Sequence, residues 1–108
     1  MQILEYHDPA GRSPFQSWFD GLDPQAAAKI TVAMTRLAQG NFSSVKGVGS
    51  GVLEFRVDFG PGYRIYFGRD GQEFVILLAG GTKRRQQQDI ETAIARWTDY
   101  KRRKKEAP

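Results

Sequence analysis

The chain has 108 residues, of which 40% are apolar, and a formal net charge of +4. That is enough for one modest core and too little for two, and no apolar run approaches the ~18 residues of a membrane span, so the expectation is one soluble, cytoplasmic domain over residues 1–108 with no signal peptide. Cysteine is absent, which excludes disulfide and thiolate chemistry, and the lone His7 speaks against a zinc site, so neither a metal nor another cofactor is expected.

The placement of charge matters more than its sum. Lys101, Arg102, Arg103, Lys104 and Lys105 against Glu106 account for all of it, leaving residues 1–100 formally neutral. A nucleic-acid reading must therefore rest on how the remaining basic residues are grouped.

Residues 2–6 read as a first strand, with His7 as a polar residue at its end. Ser13 followed by Pro14 is a helix start, and Phe15, Trp18, Phe19 and Leu22 recur at helical spacing up to Gly21. Asp23 and Pro24 repeat the signal for a second helix that runs to about Gln39 and stops at Gly40, with Ala26, Ile30, Ala33, Met34 and Leu37 as its apolar stripe. Joined this tightly, the two form an antiparallel hairpin laid across one face of a sheet.

Residues 41–51 read as a Gly/Ser-rich loop. Gly47, Gly49 and Gly51 do not make a dinucleotide loop, because no strand precedes them and no helix follows. Lys46 is the residue here with functional potential.

In residues 53–67, Leu53, Phe55 and Val57 alternate with Glu54, Arg56 and Asp58, and Tyr63, Ile65 and Phe67 alternate with Arg64 and Tyr66, a period of two on both arms of a hairpin. A three-residue loop of Gly60, Pro61 and Gly62, with Gly62 left-handed, pairs Val57 with Ile65 and Arg56 with Tyr66. That register lays Arg56, Arg64 and Tyr66 side by side on an open face. Asp70-Gly71 then predicts a two-residue turn that pairs Tyr66 with Val75, into a strand of residues 72–78 that is apolar on both faces and hence interior. After Gly80 and Gly81, the run from Thr82 to Arg85 leads into a final helix with Ile90, Ala93, Ile94 and Trp97 as its stripe, ending near Tyr100 in a basic, frayed tail over 101–108. The fold expected is α+β: an N-terminal strand and helical hairpin on a small antiparallel sheet of about four strands, closed by a C-terminal helix.

The motifs Leu53-Glu54-Phe55-Arg56, Gly60-Pro61-Gly62-Tyr63-Arg64-Ile65-Tyr66-Phe67, and Gly80-Gly81-Thr82-Lys83 with Gln87, Asp89 and Ile90 resemble the phage-derived, HigB-like "addiction module killer" branch of the RelE/ParE toxin superfamily. The resemblance implies a fold similar to microbial ribonucleases and the toxin half of a type II toxin–antitoxin pair. Such a toxin enters the ribosome and cuts messenger RNA without a metal, the ribose 2′-hydroxyl attacking the neighbouring phosphate. Its partners would be a cognate antitoxin, the ribosome with its mRNA and, as a toxin–antitoxin complex, operator DNA. Carried over by position, the basic site residues are Arg56, Arg64 and Lys83 or Arg84.

The residues themselves allow this chemistry. Arg56 and Arg64 suit bidentate phosphate contacts. Lys83, with cations beside it, is the candidate proton acceptor. Glu54, on the same side of the sheet as Arg56, is either a base or that arginine's ion-pair partner. Lys46, Tyr66, Arg84 and Arg85 are the candidate nucleic-acid contacts, Tyr66 by stacking on a base. Two alternatives stay open: a ParE-like toxin that binds gyrase and cuts nothing, and a basic module without toxicity.

Overall fold

A computed structural model describes residues 1–107. In chain order its elements are β1 (Gln2–Glu5), α1 (Pro14–Asp20), α2 (Pro24–Ala38), β2 (Val45–Gly49), β3 (Val52–Val57), β4 (Tyr63–Asp70), β5 (Phe74–Thr82), a 3-10 turn (Lys83–Arg85) and α3 (Gln86–Glu106). The α+β class is as expected. The sheet has five strands rather than about four, in the order β1-β5-β4-β3-β2.

Both predicted helix starts are capped as the sequence requires. Ser13 Oγ accepts from the Gln16 N–H, and the Asp23 carboxylate accepts from the Ala26 N–H, each with proline at the first helical position. The buried face of α2 is Ala26, Ile30, Ala33 and Leu37. With Phe15 of α1 it packs on Phe55, Ile65, Phe67, Val75 and Leu77, the residues that β3, β4 and β5 turn towards that side.

The opposite face is where expectation and structure part. It is not open: α3 lies on it, burying Val52, Tyr66, Ile76, Leu78, Ala93 and Trp97 in a second core. Tyr66 is 0% and Arg64 4% exposed. A sheet covered on both sides explains why β5 is apolar at nearly every position.

Two registers also differ. Arg56 pairs with Arg64 and Val57 with Tyr63, so the β3–β4 turn is two residues longer than expected, although Gly62 does take a left-handed φ of +78°. The shift is by an even number, so every side chain keeps its predicted face. In the next hairpin, Asp70 pairs with Phe74 and Tyr66 with Ala79, because the turn is longer than two residues and a bulge interrupts β4–β5 between Tyr66 and Phe67. The guanidinium of Arg96 donates to the carbonyl of Leu78 at that bulge, at 2.8 Å.

The predicted loop over residues 41–51 contains β2, antiparallel to β3, so Lys46 sits on an edge strand opposite Glu54. At the other edge β1 runs parallel to β5. The basic tail is not frayed either: α3 continues to Glu106, held by Arg103, which donates to the His7 carbonyl, and by Lys104, paired with Asp70 at 2.5 Å. No helix among the described residues is long and apolar enough to cross a membrane.

Candidate nucleic-acid interface

Three elements meet around the carboxylate of Glu54, which is 1% exposed. From β2, Lys46 Nζ comes to 3.7 Å of its Oε1, and from β4 the Nε of Arg64 comes to the same oxygen at 3.7 Å. From the first turn of α3, the Gln86 amide donates to Oε2 at 2.8 Å. The expected partner of Glu54 was Arg56. The pairing is instead with Arg64, because Glu54 stands directly opposite Tyr66 and the longer turn brings Arg64 one step diagonally away. Arg56 is exposed and pairs with Asp58 at 3.5 Å.

Both cations reach Glu54 Oε1 without a hydrogen bond. Glu54 Oε1, Arg64 Nε and the Tyr66 hydroxyl are buried polar atoms with no hydrogen-bond partner. Buried groups of this kind are rare, and their concentration at one point marks a place where packing alone does not decide the arrangement. Burial holds the Tyr66 phenol neutral, its pKa pushed well up by desolvation and then by the Glu54 charge. Under α3, Tyr66 is not placed to stack on a base.

The carbonyl of Gly62 ties Arg64 to the end of β5. It accepts from Arg64 Nη1 at 2.9 Å and from the Lys83 N–H at 2.9 Å. Lys83 is exposed on the turn that opens α3, as are Arg84 and Arg85, the last bonded to Gln88 at 3.3 Å. Above Gly81, which pairs with Arg64, the Asp89 carboxylate fills the space a side chain would need. Desolvation raises the Asp89 pKa, against the opposing pull of Arg85 and Arg96.

Of the expected residues, then, Lys46, Arg64 and Tyr66 gather at Glu54, whereas Lys83 is tied to Arg64 only by its main chain, through the Gly62 carbonyl, and its side chain is exposed. Arg56 joins Lys46 and Glu54 in the walls of a cleft of about 340 Å³ between β2 and β3, completed by Ser43, Ser44 and Asp58. Arg84 and Arg85 stand outside on the helix entrance. Gln86 was missed, although a signal existed: it continues the stripe of Ile90, Ala93 and Trp97 one turn back, so it had to face the sheet. Chemically the cleft offers two cations, Lys46 and Arg56, each beside a carboxylate, Glu54 buried and Asp58 exposed, with the exposed hydroxyls of Ser43 and Ser44.

The sequence profile of the family described as "Phage derived protein Gp49-like (DUF891)" matches residues 17–98. An uncharacterized protein of Haemophilus influenzae is 44% identical over 80 residues, which is 73% of this chain and 81% of that protein. The matched segment contains α2, four of the five strands and every residue of the cluster around Glu54.

Proposed function

The chain belongs to the Gp49-like family of phage-derived proteins, and on that premise we propose that it is the toxin of a type II toxin–antitoxin pair, of the HigB-like branch of the RelE/ParE superfamily, which cuts messenger RNA on the ribosome. One observation supports the reading beyond family likeness: Lys46 and Arg56, from neighbouring strands, line one cleft with Glu54, and Arg64 is buried behind it against the same carboxylate.

In this reading the scissile phosphate lies in the cleft mouth against Lys46 and Arg56. Arg64, behind them, contributes positive charge to the phosphorane from a site of low dielectric. The 2′-oxygen forms a bond to phosphorus as the bond to the 5′-oxygen breaks. The proton leaving the 2′-hydroxyl goes to the free amine of Lys83 and is passed on, through water, to the departing 5′-oxygen, so that Lys83 ends as it began. A site with few strong acids or bases relies on orientation, which a ribosome-held message supplies. The partners are an antitoxin, the ribosome with its mRNA, and operator DNA for the toxin–antitoxin complex; the place of action is the cytoplasm.

A translating extract programmed with a defined message tests this. Cleavage within the message, dependent on ribosomes and lost in Arg56→Ala, supports it, and an intact message removes it. The burial of Arg64 and its pairing with Glu54 favour a second reading, a ParE-like toxin that binds gyrase and cuts nothing. Inhibition of supercoiling by purified gyrase, with RNA intact, would establish that one instead.

A further inference from the structure

The β2–β3 ladder stops at Val45 opposite Phe55, so Arg56 and Val57, paired with β4 on one side, have no strand on the other. Next to the cleft described above is a second one, of about 290 Å³, lined by Phe55, Val57 and Phe59 and by α2. The two share Ser44, Arg56 and Asp58 as common walls. The far wall of the second cleft is a face of α2 that presents Lys29 and Arg36, both exposed, and its floor includes Phe59. Lys29 stands over the Phe59 ring, 5.4 Å from its centroid.

Among the described residues neither Lys29 nor Arg36 takes part in an ion pair, and the carboxylate lining this second cleft, Asp58, is already paired with Arg56. Two turns of helix separate Lys29 from Arg36, about 10 Å along the axis, too far for one phosphate and suited to successive ones. Exposed cations left unpaired around a single aromatic ring combine the two elements by which single strands are held, a charged track and a stacking platform.

We propose that this groove is a second RNA subsite. A single strand leaving the Lys46–Arg56 cleft turns round the β2-side edge of β3 and runs along α2, with Arg36 on its backbone and Lys29 moving from the Phe59 ring to a phosphate as one flanking base takes its place. The inference rests on the reading above only in taking RNA as the ligand; it needs no cleavage.

The test measures binding of a short, uniformly 2′-O-methylated single strand, which cannot be cut, across a range of salt concentrations. In Lys29→Ala/Arg36→Ala the affinity at low salt should fall about tenfold, and the slope of log K against log salt should shrink by about 1.4, two contacts' worth for a single strand. Lys101→Ala/Lys105→Ala removes the same charge from the far end of α3 and should change the slope by less than half as much. Circular dichroism confirms folding, and Lys29→Gln/Arg36→Gln replaces the first variant if it unfolds. An unchanged slope in the groove variant, or an equal loss in the tail variant, overturns the subsite. If the groove dependence holds while cells show no cut message, the nuclease reading fails and the subsite stands.

Discussion

Glu54 Oε1 lies 3.7 Å from Arg64 Nε, with the two side chains 1% and 5% exposed. Neither atom has a hydrogen bond. A buried pair of this kind contributes little net stability, because desolvation cancels much of the attraction, yet losing one member leaves the other buried and uncompensated. Glu54→Ala should therefore cost about 3 to 5 kcal/mol, and Glu54→Gln, which keeps a partner for Gln86, clearly less. Urea denaturation of the two variants beside the wild type measures both.

Arg56 is the contrasting case. Its pair with Asp58 is exposed on both sides, 58% and 85%, and worth about 0 to 1 kcal/mol. Arg56→Ala should leave the denaturation midpoint almost unmoved while removing at least tenfold of the message cleavage in a translating extract, as expected for a lost charge contact to the reacting phosphate.

The far end of α3 gives a pH signature. Asp70 accepts from Lys104 and from the Tyr100 hydroxyl, which together hold its pKa below the usual carboxylate value. A carboxylate depressed in the fold stabilises above its unfolded pKa, and that contribution is lost as pH falls through the folded value. The Tyr100 phenol is pushed up to about 12, chiefly by burial, so its contribution is full below its ordinary value of 10.0 and is lost as pH rises towards 12. Asp70→Asn should flatten the acid side of the stability profile, and Tyr100→Phe the alkaline side, both read as thermal midpoints against pH.

Asp89 has the opposite sign to Asp70. Its pKa is raised by burial, so the folded state favours the protonated acid, and stability is lost as pH climbs through the raised value. At pH 7 Asp89→Asn should raise the thermal midpoint, with the gain vanishing near pH 3. A lower midpoint at pH 7 would mean that the charge is wanted where it lies, over Gly81.

The α3 face of the sheet depends on a missing side chain. A Cβ at Gly68 would come within 2.6 Å of the Trp97 ring. Gly68→Ala should cost about 1 to 3 kcal/mol through overpacking, and Trp97→Ala about 3 to 5 kcal/mol through the cavity, both measured by chemical denaturation.

Local chemistry in the sequence spoke plainly, and long-range compensation did not. Ser13-Pro14 and Asp23-Pro24 announced helices because a cap needs only the four residues around it. Lys46 looks like a loop residue in the sequence because Gly47 and Gly49 carry no strand propensity; β3 supplies the pairing. In the sequence Arg56, Arg64 and Tyr66 look like one open face, because polar residues at alternate positions normally are exposed; of the three only Arg56 is. Here a carboxylate, a guanidinium and the amide of Gln86 bury one another, and no single position declares that. The tail looked frayed because the partners that hold it, Asp70 and the His7 carbonyl, lie more than thirty residues away.

Sequencing of RNA 5′ ends after a brief pulse of expression tests the central claim most directly. The account predicts new ends inside translated messages, each upstream fragment closed by a 2′,3′-cyclic phosphate, and their disappearance in Arg56→Ala at equal protein level. Messages that stay whole while growth stops would contradict it.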